Sequence, residues 1–250
     1  GVQDPHFVDP KPSFIRLLNQ ADLLIDGGID LEVGWLPPLL EGARNGKIQT
    51  GSPGRIVAST GVNILQLPTR PVERSQGDVH PLGNPHYMLD PENGKIVAGE
   101  IAAALCRLDG RSCDSYRKNQ AAFDRRLDQK MAEWTQAMTP YRGAKIITYH
   151  DSWPYFAGRF GLKVVGQIEP KPGVPPSTAH LKGLIETAQQ QKVKAILMEP
   201  FYNDQAPKFV AAQTGAKLLV LPATVAPEMG INDYVQLFDH LVAALTEALR

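Results

Sequence analysis

Histidines are the residues of this sequence whose placement most suggests chemistry. Six occur among 250 residues, and three of them stand where a segment turns or ends. His6 and His86 each follow a proline, and His150 ends the apolar run 145–150. A proline restricts the backbone at its own position, and a neutral imidazole is a common ligand of transition metals. His6, His86 and His150 are therefore candidate metal ligands.

The spacing of these three histidines excludes a compact metal motif. His6 and His86 are 80 residues apart, and His86 and His150 are 64 residues apart. Such distances fit neither a zinc finger nor a helix with two ligands one turn apart. Only the fold can bring the three side chains together, and any single histidine is more often a hydrogen-bonded structural residue.

The other histidines carry a weaker signal. His180 lies early in a predicted helix and His240 lies on an amphipathic C-terminal helix, so both are interpreted as structural. His80 lies six residues before His86 in the same loop. A structural role is favoured for His80, with an accessory ligand or a lid residue as the alternative.

The second half of the chain alternates predicted strands with predicted helices. The strands are predicted at residues 145–150, 163–168, 194–199 and 217–222, and the helices at 153–161, 177–191, 204–214 and 233–249. Short connections between them favour a parallel sheet covered by helices, hence an α/β fold. Ligands collect beyond the carboxyl ends of such strands, which is where His150 stands.

The first half is less regular. Strands are predicted at residues 21–28, 55–60 and 63–67, a helix interrupted by a Pro-Pro pair at 31–43, and a long loop at 69–90. A helix over residues 91–108 has Asp90 as its predicted N-cap. The next helix, over residues 114–138, would be roughly 37 Å long, enough to brace two lobes.

Composition excludes some classes of protein. Lys+Arg and Asp+Glu both total 26, so there is no basic excess of the kind that nucleic-acid binding needs. No apolar run approaches the roughly 18 residues of a membrane span. The two cysteines, Cys106 and Cys113, are seven positions apart. On spacing alone, a disulfide and two separate core thiols are equally good interpretations.

Three segments resemble the ligand-bearing motifs of one family. They are DPHFVDPKPS at residues 4–13, NPHYMLDPENG at 84–94 and ITYHDSWPYFAGRFGLKVVG at 147–166. They are similar to the zinc/manganese class, cluster A-I, of ABC-transporter solute-binding proteins, and residues 21–32 resemble a further stretch of that family. The resemblance implies two α/β lobes with parallel-rich sheets, residues 1–113 and 139–250. One long rigid helix, residues 114–138, would join them.

The resemblance also implies ligands and a cargo. His6 and His86 match the N-lobe ligands, and His150 matches the C-lobe ligand, which is His in zinc-type members. Three imidazoles suit Zn²⁺ better than Mn²⁺, which prefers more oxygen ligands. The expected function is capture of Zn²⁺ in the periplasm, or at an extracytoplasmic membrane anchor, by a monomer that delivers it to an ABC-transporter permease. An oxidising compartment then favours a Cys106–Cys113 disulfide with Cα atoms about 5.5–6 Å apart.

Two features depart from the family pattern. The family's fourth ligand, an Asp, aligns near Thr224, where no acid stands, and Glu228 lies a few residues away. Glu199, at the end of its own predicted strand, is the nearest alternative ligand, although an acid that orients a histidine is the favoured interpretation. The strand–helix–strand unit that precedes the first motif in the family has no counterpart here, so an exposed edge of the N-lobe sheet is expected.

Two other classes of function stay open at this point. A zinc hydrolase would use a water bound to three histidines, with Glu199 as the visible general base. An adhesin or interaction module would hold the metal as a structural ion. Hydrolysis would support the first, and exchangeable metal with an associated permease would support transport.

Overall fold

A computed structural model describes residues 2–69 and 80–250. The C-terminal half contains a four-stranded parallel sheet in the order β4-β3-β5-β6. Its strands are β3 (Lys145–Thr148), β4 (Lys163–Gln167), β5 (Ala195–Met198) and β6 (Lys217–Val220). Every residue of the central strand β5 is buried, as expected for a parallel strand covered on both faces.

Helices cover both faces of this sheet. They are α5 (Pro154–Phe160), α6 (Thr178–Gln191), α7 (Gln205–Thr214) and α8 (Tyr234–Leu249). One face packs a core that includes Trp153, Phe156 and Phe238. The other face packs Leu184 of α6 and Val210 of α7. The predicted alternation of strands and helices in this half is confirmed.

The N-terminal half contains a smaller parallel pair of strands with three helices. The elements are α1 (Pro12–Gln20), β1 (Leu24–Asp26), α2 (Leu36–Ala43), β2 (Arg55–Val57) and α3 (Pro91–Leu108). The predicted N-cap of α3 is confirmed, because the Asp90 side chain accepts a hydrogen bond from the Glu92 backbone.

One long helix lies between the two sheets in the chain. This helix, α4, spans Cys113–Met138 and has 26 residues, a length of about 39 Å. It packs against α3 of the N-terminal lobe and α8 of the C-terminal lobe. Two lobes with parallel sheets and one long helix are therefore confirmed. The domain boundaries at residues 113 and 139 stay a prediction.

Two predictions for the first half are wrong in detail, and one helix was missed. Residues 63–67 form a loop rather than a strand, because the Leu65 backbone bonds to the Tyr155 hydroxyl and to Asn84 instead of to a neighbouring strand. The predicted helix at 31–43 begins only at Leu36, since prolines lack an N–H and fit the first turn. Helix α1 was not predicted. Residues 70–79 of the predicted loop lie outside the described part of the chain.

The cysteines form a disulfide that joins the ends of two helices. Cys106 lies in the last turn of α3 and Cys113 begins α4, with Cα atoms 4.5 Å apart. The predicted bond is confirmed, at a shorter Cα distance than expected. Among the helices of the described residues, none has the length and apolar character needed to cross a membrane.

Candidate metal centre

Three imidazole rings from distant parts of the chain converge between the lobes. One ligand nitrogen from each of His6, His86 and His150 lies within 4.8 Å of the other two. The ring centroids are 5.1 Å apart for His6–His86, 5.5 Å for His6–His150 and 5.3 Å for His86–His150. The fold thus brings together the histidines that the sequence singled out. We call them the histidine cluster.

His6 is held by the residue two positions before it. The Asp4 carboxylate accepts hydrogen bonds from the His6 backbone N–H at 2.9 Å and from the His6 ring nitrogen Nδ1 at 2.8 Å. Burial alone would raise the pKa of Asp4, but these hydrogen bonds lower it overall. An ionised carboxylate only accepts hydrogen bonds, so Nδ1 carries the proton and Nε2 keeps its lone pair for a ligand.

The backbone of His86 is held by Asn84, which also joins the lobes. Asn84 Oδ1 accepts a hydrogen bond from the His86 backbone N–H at 2.9 Å, and Nδ2 donates to the Asp151 carbonyl at 2.7 Å. The Tyr155 hydroxyl donates to the Asn84 carbonyl at 2.8 Å. Because Asp151 and Tyr155 belong to the C-terminal lobe, these bonds position His86 relative to His150.

His150 follows β3 and is oriented by a buried acid. Its Nδ1 lies 2.8 Å from Glu169 Oε2, and the two side chains are 7% and 9% exposed. Burial of the ring lowers the pKa of His150, but the hydrogen bond with Glu169 and the negative charge of Glu199 outweigh it, so the pKa is raised. Nε2 is again the nitrogen left for a ligand.

His86 has a buried ring nitrogen without a hydrogen-bond partner in the described part of the protein. Its Nε2 atom is inaccessible and has no hydrogen-bond partner among the described residues. Burial lowers the pKa of His86 well below its usual value, and the neighbouring histidines lower it further. A buried ring nitrogen without a partner costs free energy unless a ligand satisfies it, and a neutral ring has one nitrogen with a free lone pair. A metal ion would satisfy it.

His80 also reaches the cluster. Its Nε2 lies 3.0 Å from His6 Nε2, and the two rings stack with centroids 5.0 Å apart. Burial, followed by the charges of His6 and His150, lowers the pKa of His80 to about 4, so the ring is neutral near pH 7. Two nitrogens on one tetrahedral zinc ion would be about 3.3 Å apart. The His80 nitrogen meets that spacing for His6, but His80 is not part of the group of mutually close ligand atoms that His6, His86 and His150 form.

Neither Glu199 nor Glu228 belongs to the group of mutually close ligand atoms found among the described residues. Glu199 is fully buried, and its Oε1 accepts a hydrogen bond from Trp153 Nε1 at 3.1 Å. Burial raises the pKa of Glu199 to about 7. The acid that orients His150 is Glu169 rather than Glu199. Thr224 lines a cavity of about 100 Å³ together with His6 and His86, but it brings no carboxylate there.

A larger cavity connects the cluster to solvent. It has a volume of about 400 Å³ and is lined by His80, His86, His150 and Glu169, among others. An ion could enter by this route, on the side where His80 stands. His180 lies apart from the cluster, with its Nε2 2.9 Å from the Gln167 carbonyl.

Three supporting residues escaped the sequence analysis: Asp4, Asn84 and Glu169. The first two had a signal, because both motifs read Asx-Pro-His and an Asx side chain commonly bonds to the backbone two residues on. Glu169 had none, since it opens a proline-rich loop 19 residues after its partner His150.

A fold of two α/β lobes with a histidine cluster between them defines a class of binding protein. The family model for ZnuA, zinc-uptake complex component A periplasmic, matches residues 1–248. The chain therefore belongs to this family.

Individual relatives of known name are similar to this chain in sequence and in structure. The high-affinity zinc uptake system protein ZnuA of Brucella abortus (strain 2308) is 31% identical over 165 residues, covering 66% of this chain and 49% of that protein. The chain thus spans about half the length of that relative. The manganese ABC transporter substrate-binding lipoprotein PsaA of Streptococcus pneumoniae is 29% identical over 214 residues, covering 84% of this chain and 66% of that protein. A crystal structure of ZnuA superposes with a TM-score of 0.82 at 27% identity, covering 100% of this chain and 88% of that one.

Proposed function

We propose that this protein captures Zn²⁺ outside the cytoplasm and delivers it to the membrane permease of an ABC importer. The observation that carries the proposal is the histidine cluster, in which His86 Nε2 is buried without a partner. The zinc uptake and manganese transport roles named for the relatives support the same class of function.

The donor set favours zinc over manganese. His6, His86 and His150 would supply three neutral nitrogens, and Zn²⁺ accepts imidazole nitrogen at about 2.0–2.1 Å in four-coordinate sites. Mn²⁺ favours carboxylate, carbonyl and water oxygens. Asp4 and Glu169, the carboxylates bonded to the cluster, each hold the far side of a ring and so would tune the ligands rather than bind the ion.

The fourth position would alternate between water and His80. His80 lines the same solvent cavity as His86 and His150, so an entering ion can contact it. A ligand of this kind exchanges easily, which suits a protein that must release its cargo. Glu199, which remains a weaker candidate ligand, has one oxygen engaged by Trp153.

Substitution of single histidines tests the proposal. We expect His150→Ala to weaken zinc binding by more than 100-fold, and His80→Ala by about tenfold, about 1.4 kcal/mol. His240→Ala is the matched control, because His240 lies on α8 and belongs to no cluster of metal-ligand atoms within the described residues. Zinc affinity would be measured by competition with a fluorescent chelator.

Two results would contradict the proposal. Equal zinc affinity in His150→Ala and His240→Ala would show that the histidine cluster is not the zinc site. Manganese binding tighter than zinc binding would show that zinc is not the preferred cargo. The hydrolase alternative has no support from the relatives. The interaction-module alternative stays a prediction, and slow or absent exchange of the bound metal would favour it.

A further inference from the structure

The end of the C-terminal sheet opposite the histidine cluster is crowded with basic residues. Each of the four parallel strands begins with a lysine or directly follows one: Lys145, Lys163, Lys194 and Lys217. In a parallel sheet all strands start at the same edge, so the topology gathers these charges. Lys145 pairs in register with Lys163, and the Lys217 N–H donates to the Lys194 carbonyl at 2.8 Å.

Three further cations surround this edge: Arg142, Lys192 and Arg250. With the four lysines they form what we call the basic edge. Five of the seven line one cavity of about 660 Å³, and the described lining contains no acidic side chain. The cavity lies roughly 16 Å from the His150 end of β3, given a rise of about 3.3 Å per residue. It is therefore separate from the metal centre.

The cations of the basic edge have no acidic side-chain partners in the described part of the chain. Within residues 2–69 and 80–250, none of the seven side chains forms an ion pair with an Asp or Glu side chain. Lys194 and Lys217 donate only to backbone oxygens near the end of α8. Some cations elsewhere in the described residues do have acidic partners, as Lys95 has Glu92 and Asp128, and Arg159 has Asp90. The basic edge is distinguished by the number of cations gathered around one cavity without an acidic side chain in its lining.

We propose that the cavity of the basic edge binds a ligand that carries several phosphate groups. A concave surface lined by charges of one sign raises the local concentration of counter-ions. Arginine and lysine together suit phosphate, because Arg offers two parallel donors and Lys a compact charge. The chain has no net charge, so the attraction arises from this local excess and not from the protein as a whole.

The test uses the full chain and two probes. Tripolyphosphate represents a free ligand, and vesicles of phosphatidylcholine with cardiolipin, a lipid with two phosphates, represent lipid headgroups. The variant Arg142→Gln/Lys145→Gln/Lys192→Asn removes three charges, with Asn at Lys192 because that residue has a φ of 56°. The matched control Arg16→Gln/Lys118→Gln/Lys182→Gln removes the same charge from exposed positions outside the cavity. Circular dichroism melting establishes that both variants are folded.

We expect one probe to bind the unmodified protein at low ionic strength, and the cavity variant to bind it at least about tenfold more weakly. The control should change this affinity less than threefold. Binding of tripolyphosphate identifies a free ligand, and binding of the anionic vesicles alone identifies a headgroup. Absence of binding to both probes, or an equal loss in the control, would overturn the proposal.

Discussion

Replacing Glu169 with Gln removes one negative charge from the metal centre and changes little else. The carboxylate lies 2.8 Å from His150 Nδ1 with both side chains buried. Glutamine keeps an oxygen that can accept the same hydrogen bond. The substitution therefore separates the charge of Glu169 from its shape.

The size of the effect follows from that contact. A hydrogen bond to a charged group contributes about 1.5–3 kcal/mol and a neutral one about 0.5–1.5 kcal/mol, so the loss is roughly 1–1.5 kcal/mol. Loss of an acid that orients a metal-bound histidine usually costs about 10–100-fold in affinity. At pH 8 we expect zinc binding by Glu169→Gln to be weaker by about tenfold or somewhat more.

The loss should shrink as the pH falls. Glu169 raises the pKa of His150 against the opposing effect of burial. In the unmodified protein a proton therefore competes with zinc for His150 already above pH 6.5, the usual pKa of histidine. Without the charge, burial lowers the pKa of His150 and this competition moves to lower pH. The two proteins should differ most at pH 8 and least near pH 6.

Chelator competition at pH 8, 7 and 6 measures both effects. Glu186→Gln on α6 is the matched control, because Glu186 is exposed and outside the cavity that opens to the cluster. Equal affinity of Glu169→Gln and Glu186→Gln at pH 8 would refute the orienting role. An affinity ratio that stays constant from pH 8 to pH 6 would refute the electrostatic explanation.

The further predictions concern Glu199, Asn84 and the two cysteines. Glu199→Gln should leave zinc affinity within about tenfold, and a loss as severe as in His150→Ala would identify Glu199 as a ligand. Burial raises the pKa of Glu199 to about 7. The free energy of unfolding of the metal-free protein should therefore fall as the pH rises from about 4.5 to 7. Measurements of Tm against pH should find this dependence weaker in Glu199→Gln. Asn84→Ala removes the hydrogen bond to the Asp151 carbonyl of the other lobe and the bond that holds the His86 backbone. It should lower the free energy of unfolding by about 2–4 kcal/mol and weaken zinc binding, whereas unchanged values in denaturant and zinc titrations would exclude the positioning role. Titration of the unfolded, unreduced protein should find no free thiol from Cys106 and Cys113, and two reactive thiols would contradict the disulfide.

The sequence predicted the C-terminal lobe well because its elements are locally determined. Short apolar strands alternate there with capped helices, as at Ser177, whose side chain accepts a hydrogen bond from the His180 backbone. Proline-fixed turns and a strand end marked His6, His86 and His150 as candidates, and the resemblance to the solute-binding family predicted that they share one site.

The first half was harder to predict because tertiary contacts decide it. The apolar run at 63–67 has the composition of a strand, yet its backbone bonds to Tyr155, which lies 90 residues away. The role of Glu169 likewise depends on β3 and β4 ending side by side. No local pattern states which acid will lie next to His150, so Glu199 was considered and Glu169 was missed.

A zinc-loaded crystal structure with anomalous diffraction at the zinc edge tests the central claim most directly. The account predicts one ion between the lobes, with the Nε2 atoms of His6, His86 and His150 each within about 2.0–2.3 Å of it. The fourth position should hold water or His80. An ion bound elsewhere, or one held with any of the three rings turned away, would contradict the account.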